Sequence, residues 1–220
     1  MDKFEYIQHW NYFCSLAKRL DETKDYVFHG GDESDPTNSH FIHRNVYSDI
    51  FKQIIILSAS EFELISKVLC NTFGETAEDI KDISRIILFH FPKLPETEVN
   101  TAFYSGAPLQ EWRYCPDNKG KKVEGLKWWD GYNALKHNEV DSYKQATLEN
   151  AILAESALYV VNLYLMRQLT GTLYLAYNYP PVYFRNKYTA STVNSGEGLL
   201  PDFGNKSAEE VLRGKYQGIT

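Results

Sequence analysis

Apolar residues recur at helical spacing through most of this 220-residue chain. Tyr6, Trp10, Phe13, Ala17 and Leu20 mark a first helix over about 2–22, with Asp2 placed to cap it. A Gly-, Asp-, Ser- and Pro-rich stretch, HGGDESDPTNSH at 29–40, reads as a solvated loop. The second helical run covers 45–73. Its IIIL segment at 54–57 is apolar on every side, which predicts a central, buried helix. Ile54, Ser58, Glu61, Ile65 and Val68 share one stripe, so Glu61 falls among core-facing positions. Glu63 and Lys67, four residues apart, form an ordinary solvated pair.

A third helix is predicted over about 77–91 from Ile80, Ile83 and Ile87, and Pro92 and Pro95 end it. Residues 92–125 are mixed, with Leu109, Trp112 and Tyr114 as anchors and CPDNKGKKVEG as a polar loop. A short fourth helix follows at about 126–137, with Asn138 to end it and Asp141 to cap the next. The fifth and longest, about 142–169, carries Ala151, Ala154, Leu158, Val161 and Leu165, and Thr170 and Gly171 weaken it. The last fifty residues change character. YNYPPVYFRNKY is rich in tyrosine, TVNSGEGLLPDFGN is a loop, and Ser-Ala-Glu-Glu at 207–210 matches a capping box for a terminal helix. The chain thus reads as all-α: a bundle of five main helices over 1–170, with an aromatic-rich extension at 171–220 that packs on the bundle.

Composition narrows the function classes. At 43% hydrophobic, the chain supports one well-buried core. Lys and Arg number 23 against 29 Asp and Glu, a net charge of −6, so nucleic acid is not bound by bulk electrostatics and any RNA must meet a local pocket. Cys14, Cys70 and Cys115 show no Cys-x-x-Cys spacing, which argues against a disulfide framework and a zinc ribbon. The start lacks a signal-peptide pattern, and no apolar run reaches the ~18 residues of a membrane span. A cytoplasmic protein away from membranes, with no cofactor and no metal, is the expectation.

Candidate chemistry concentrates in WWDGYNALKH at 128–137. At about 100° per residue, Trp128, Tyr132 and Leu135 fall on one side of a helix, and Trp129, Asn133, Lys136 and His137 on the next. One side anchors, and the other presents an amide, an ammonium and an imidazole together. Lysine offers a point charge for phosphate, histidine moves protons near neutral pH, and Trp129 can stack on a base, with Tyr132 beside it in the binding set. A structural role competes with this reading, because Lys and His near a helix C-terminus also satisfy its free carbonyls. Glu61 needs a partner if it points inward, and Lys136, His137 and Tyr47 are the candidates. The spacing then places His137 beside Asn133 and close to Glu61, at a cleft.

Three other signals are weaker. His40 and His43, with His29, Asp32 and Asp35 nearby, have no ordered ligand set. Arg85 and His90 lie five apart, about 140° around a straight helix, with His90 on the stripe of Ile83 and Ile87. The turn at 194–198 lacks a P-loop lysine.

Four segments together resemble the HEPN-like proteins of bacteria: Asn45-Val-Tyr-Ser48, the Ser58-x-x-Glu-Phe-Glu-x-x-x-Lys67 run, the block at 128–137, and Ala146-Thr-Leu-Glu-Asn-Ala151. The resemblance covers roughly 45–165, and the Trp-Trp-x-x-Tyr-Asn-x-x-Lys-His block is its most specific part. It implies an α-helical bundle, often a homodimer, in a superfamily of RNA-cleaving toxins and phage-defence proteins with inactive or nucleotide-binding members. Partners implied are RNA or a nucleotide and an antitoxin or defence protein. In the nuclease members an arginine precedes the catalytic histidine by five to seven residues. With His137 as that histidine, positions 130–132 hold Asp, Gly and Tyr. Two readings follow: an RNA- or nucleotide-directed protein, as a degenerate, metal-independent ribonuclease using His137, Asn133, Lys136 and Glu61, or a non-catalytic helical assembly module.

Overall fold

The computed structural model describes residues 3–30, 43–101, 104–112, 125–137, 140–184, 200–203 and 209–210. Among these, helix dominates, in α1 (Lys3–Glu22), α2 (Asp49–Asn71), α3 (Ile80–His90), α4 (Lys127–Lys136), α5 (Leu148–Thr170) and the short α6 (Tyr174–Asn178). The sheet among them is a minimal antiparallel pair, β1 (Val99–Asn100) against β2 (Ser105–Gly106).

Capping chemistry sets the helix starts, and it moves several of them from the expected places. Helix α2 begins at 49 rather than 45 because Ser48 is its N-cap and accepts from the Phe51 N–H at 3.3 Å. The residues just before it are spent differently. Tyr47 bridges Thr147, Ser48 N–H donates to the Ala146 carbonyl, and Leu148 N–H donates to that of Val46. This clasp sets the starts of α2 and α5 side by side. Helix α3 begins at 80, where Asp79 accepts from the backbone of Lys81 and Asp82. Asp141 does not cap α5. It sits in the left-handed region at φ 61°, ahead of a 3-10 turn over Ser142–Gln145, and Thr147 caps α5 through the Asn150 N–H. Gly171 closes α5 at φ 71°, a conformation glycine adopts without strain, and its N–H returns to the Arg167 carbonyl. Asp2, Tyr114, Asn138, and Ser207 and Ala208 of the terminal capping box lie outside the described residues.

The central helix is α5, not α2. From Ala154 to Gln168 every residue of α5 is buried, while Ile56 and Leu57 of the IIIL run are only half-buried. Helices α1, α2 and α4 pack around α5, and α3 packs on α2. The C-terminal aromatics enter the same core. Phe184 is fully buried near Phe13 and Tyr159, and Phe203 packs against Phe91 and Tyr164. The stretch expected as a solvated loop begins with a buried residue. His29 bonds Thr23 Oγ1 at 2.9 Å and the Tyr183 hydroxyl at 2.7 Å. Residues 31–42, His40 among them, lie outside the described residues. No helix among the described residues is long and apolar enough to cross a membrane.

Candidate functional site

Helix α4 carries the block that concentrates the candidate chemistry. Its start is held from outside, because Lys127 N–H donates to Glu111 Oε2 at 2.9 Å. Four large side chains fix it to the core: Trp128, Trp129, Tyr132 and Leu135 are all buried. Trp128 donates its indole N–H to the Pro108 carbonyl at 3.2 Å and takes the Phe62 ring edge-on. Gly131 lets α4 approach the start of α5, since a Cβ there would lie 2.8 Å from Asn150 Nδ2.

The expected stacking residue is part of this anchor. Trp129 is only 7% exposed and packs against Phe62, Trp128 and Tyr132. It is not offered to a base, and Tyr132 is likewise a core ring. The helical phase explains this: both tryptophans lie within the arc that faces α2 and α5, so the polar side is narrower than the sequence suggests.

What remains outward is Asn133, half-buried, with Lys136 and His137 exposed. Lys136 Nζ sits 5.3 Å from the centre of the Tyr132 ring. Hydrogen bonding to Tyr132 raises the lysine's pKa and keeps it charged. The Tyr132 hydroxyl also lies 3.4 Å from Ser60 Oγ of α2. His137 ends the helix, its N–H donating to the Asn133 carbonyl at 3.0 Å.

Glu61 is not part of this cluster. It is buried, as its stripe predicted, but it meets His9 of α1 and not Lys136, His137 or Tyr47. A carboxylate oxygen accepts here, so His9 Nδ1 donates. Tyr47 is exposed and packs edge-on against Tyr143. The missed partner, His9, lies on the flank of the α1 stripe. Its sequence position signals partial burial, and only the register of α1 on α2 reveals what it faces.

No family model matches the chain, no curated protein matches it, and no solved structure matches it.

The remaining candidates separate cleanly. His90 is half-buried, stacked on Phe73 at 3.8 Å and bonded to Glu75 at 2.8 Å, while Arg85 pairs with Asp82 on the exposed side. Among the described residues no group of three or more His, Cys, Asp and Glu side chains is placed to hold a metal ion. One buried acid escaped the sequence reading. Glu155, in the middle of α5, is fully buried, and among the described residues neither of its oxygens has a hydrogen-bond partner. Burial pushes its carboxyl well above the usual range, so it is held neutral. The all-round apolar character of α5 was the available signal.

Proposed function

We propose that this is an RNA- or nucleotide-directed, HEPN-like protein of bacterial stress or phage defence that binds its ligand at the exposed end of α4. The observation that carries this reading is the outward set of Asn133, Lys136 and His137 within two turns of one helix, with the lysine charged and poised above Tyr132. An ammonium there meets a phosphate as a point charge, and an exposed imidazole and a half-buried amide supply directed hydrogen bonds. Binding is better supported than cleavage. The carboxylate that would orient His137 is engaged by His9, and the arginine of the nuclease motif is absent from 130–132.

Labelled RNA incubated with pure protein, with and without EDTA, tests this. The expected result is retention of intact RNA in both conditions, lost in Lys136→Ala and His137→Ala. Cleavage that persists in EDTA would restore the ribonuclease reading. Failure to retain or cleave RNA overturns the proposal.

The second reading is an assembly module, homodimeric or bound to an antitoxin or defence partner. Burial of Trp129 and Tyr132 favours it, because the most characteristic block of the chain then serves mainly to hold α4 in the bundle. Light scattering of the pure chain checks the homodimer.

A further inference from the structure

A groove of about 660 Å³ opens between the first half of α1, the end of α5 and α6, on different residues from the α4 cluster. That volume lies within the ~300–1,000 Å³ of small-molecule sites. The aromatic surface it offers to a ligand comes from Tyr174 of α6 and Tyr179 just beyond α6, while Tyr6 and Trp10 of α1 are buried beneath it. Among the described residues, none that lines it is Asp, Glu, Lys, Arg or His, which suits an uncharged ligand part.

Hydrogen bonding narrows the class further. The deep polar tips are already used within the protein. The Tyr6 hydroxyl donates to the Asn162 carbonyl at 3.0 Å, Trp10 Nε1 to the Tyr179 carbonyl at 3.1 Å, and Thr170 Oγ1 to the Met166 carbonyl at 2.8 Å. These bonds hold the buried floor of the groove in place. At the mouth, Asn11 is exposed and brings a carboxamide, one donor beside one acceptor. Tyr174 and Tyr179 are 57% and 60% exposed, a large aromatic area to leave in water on a short helix and its flank. Exposed aromatic rings plus a paired donor and acceptor match a flat heterocycle with a complementary edge. Asparagine pairs in this way with the N6 and N7 atoms of adenine.

We propose that this groove is a nucleobase site, in which an unpaired adenine lies against the exposed rings of Tyr174 and Tyr179, Asn11 reads its N6/N7 edge, and sugar and phosphate stay outside. The inference deepens the RNA- or nucleotide-directed reading and rests on it for its biological sense, but its residues are separate and so is its test.

Calorimetric titration of the full chain with adenosine, uridine and indole decides it. Adenosine is expected to bind saturably, at least tenfold more tightly than uridine or indole. Asn11→Ala and Tyr174→Ala, both at exposed positions, are each expected to weaken adenosine at least tenfold, about 1.4 kcal/mol. His137→Ala is expected to leave adenosine affinity unchanged. Absence of saturable adenosine binding overturns the assignment. So does indole binding as tightly as adenosine, or full affinity in Asn11→Ala, since either shows a generic apolar cleft. Adenosine binding by a chain that retains no RNA sustains the groove and removes the α4 reading, and RNA retention without adenosine binding does the reverse.

Discussion

His9 and Glu61 face each other across the seam between α1 and α2, imidazole Nδ1 against carboxylate Oε1. The carboxylate is about nine-tenths buried and the imidazole about one-fifth exposed, so one side of the pair is dry and the other wet. Removing the histidine strands a buried carboxylate. His9→Ala is expected to destabilise the protein by about 1–3 kcal/mol, more than Glu61→Gln, which keeps an acceptor in place. Urea denaturation of His9→Ala, Glu61→Ala and the double variant, with Glu61→Gln alongside, measures the coupling. Strict additivity of the two alanine substitutions would show that the contact contributes nothing.

Glu155 predicts a stabilising substitution. Its carboxyl ionises from about 4.5 in the unfolded chain and only at a much higher pH in the folded one. Over that interval the folded state keeps a proton that the unfolded state has released. The stability linked to this group is therefore full below about 4.5 and is lost as pH rises towards the folded value. Glu155→Gln mimics the neutral acid and does not titrate. It is expected to raise Tm at pH 7 and to change it little near pH 4. A lower Tm at pH 7 would mean that an ionised carboxylate is needed there.

His29 carries the opposite sign. Burial, and then the nearby positive charge of Lys24, lower its pKa to about 4 from 6.5. The neutral ring, bonded between Thr23 and Tyr183, is the folded form. Its contribution is present above about 6.5 and is lost as pH falls from there towards about 4, because the unfolded chain takes up a proton that the folded chain refuses. The expected measurement is an NMR titration of the His29 ring with its midpoint near 4. A midpoint near the ordinary histidine value would place the ring in water. Between about 4.5 and 6.5 the His29 and Glu155 slopes oppose each other, so Glu155→Gln should expose the acid-side loss more clearly.

Much of the fold was legible in the sequence, and the site only partly. The 3.6-residue period of Tyr6, Trp10, Phe13, Ala17 and Leu20 marked α1, and all of these are buried. Helix starts shifted by three to six residues where Ser48, Asp79 and Thr147 compete with other capping candidates. Which helix is central depended on the whole surround, because a four-residue apolar run describes one turn of α2 whereas α5 is buried over four turns. The burial of Glu61 could be read from its stripe, but its partner could not. A pairing between α1 and α2 depends on the register of two helices, and no local pattern encodes it. Trp129 was misplaced for a related reason: a helix held between two others buries a wider arc than one face.

The aromatic extension gives the last prediction. Phe184 lies 14 residues beyond the end of α5, yet it is fully buried, with ring centres 6.0 Å from Phe13 and 6.1 Å from Tyr159. Tyr183 beside it is bonded to His29. The segment therefore finishes the surface of α1 and α5 rather than trailing from it. Phe184→Ala removes a ring from a packed cluster and is expected to cost about 3–5 kcal/mol, the range for a large core aromatic. Lys136→Ala, on the exposed side of α4, is expected to stay within about 0.5 kcal/mol. Urea denaturation of the two variants side by side tests the contrast. A near-neutral Phe184→Ala would show that the helical bundle closes its core without the extension, and the apolar surface of α1 and α5 beneath that ring would then have to be satisfied in another way.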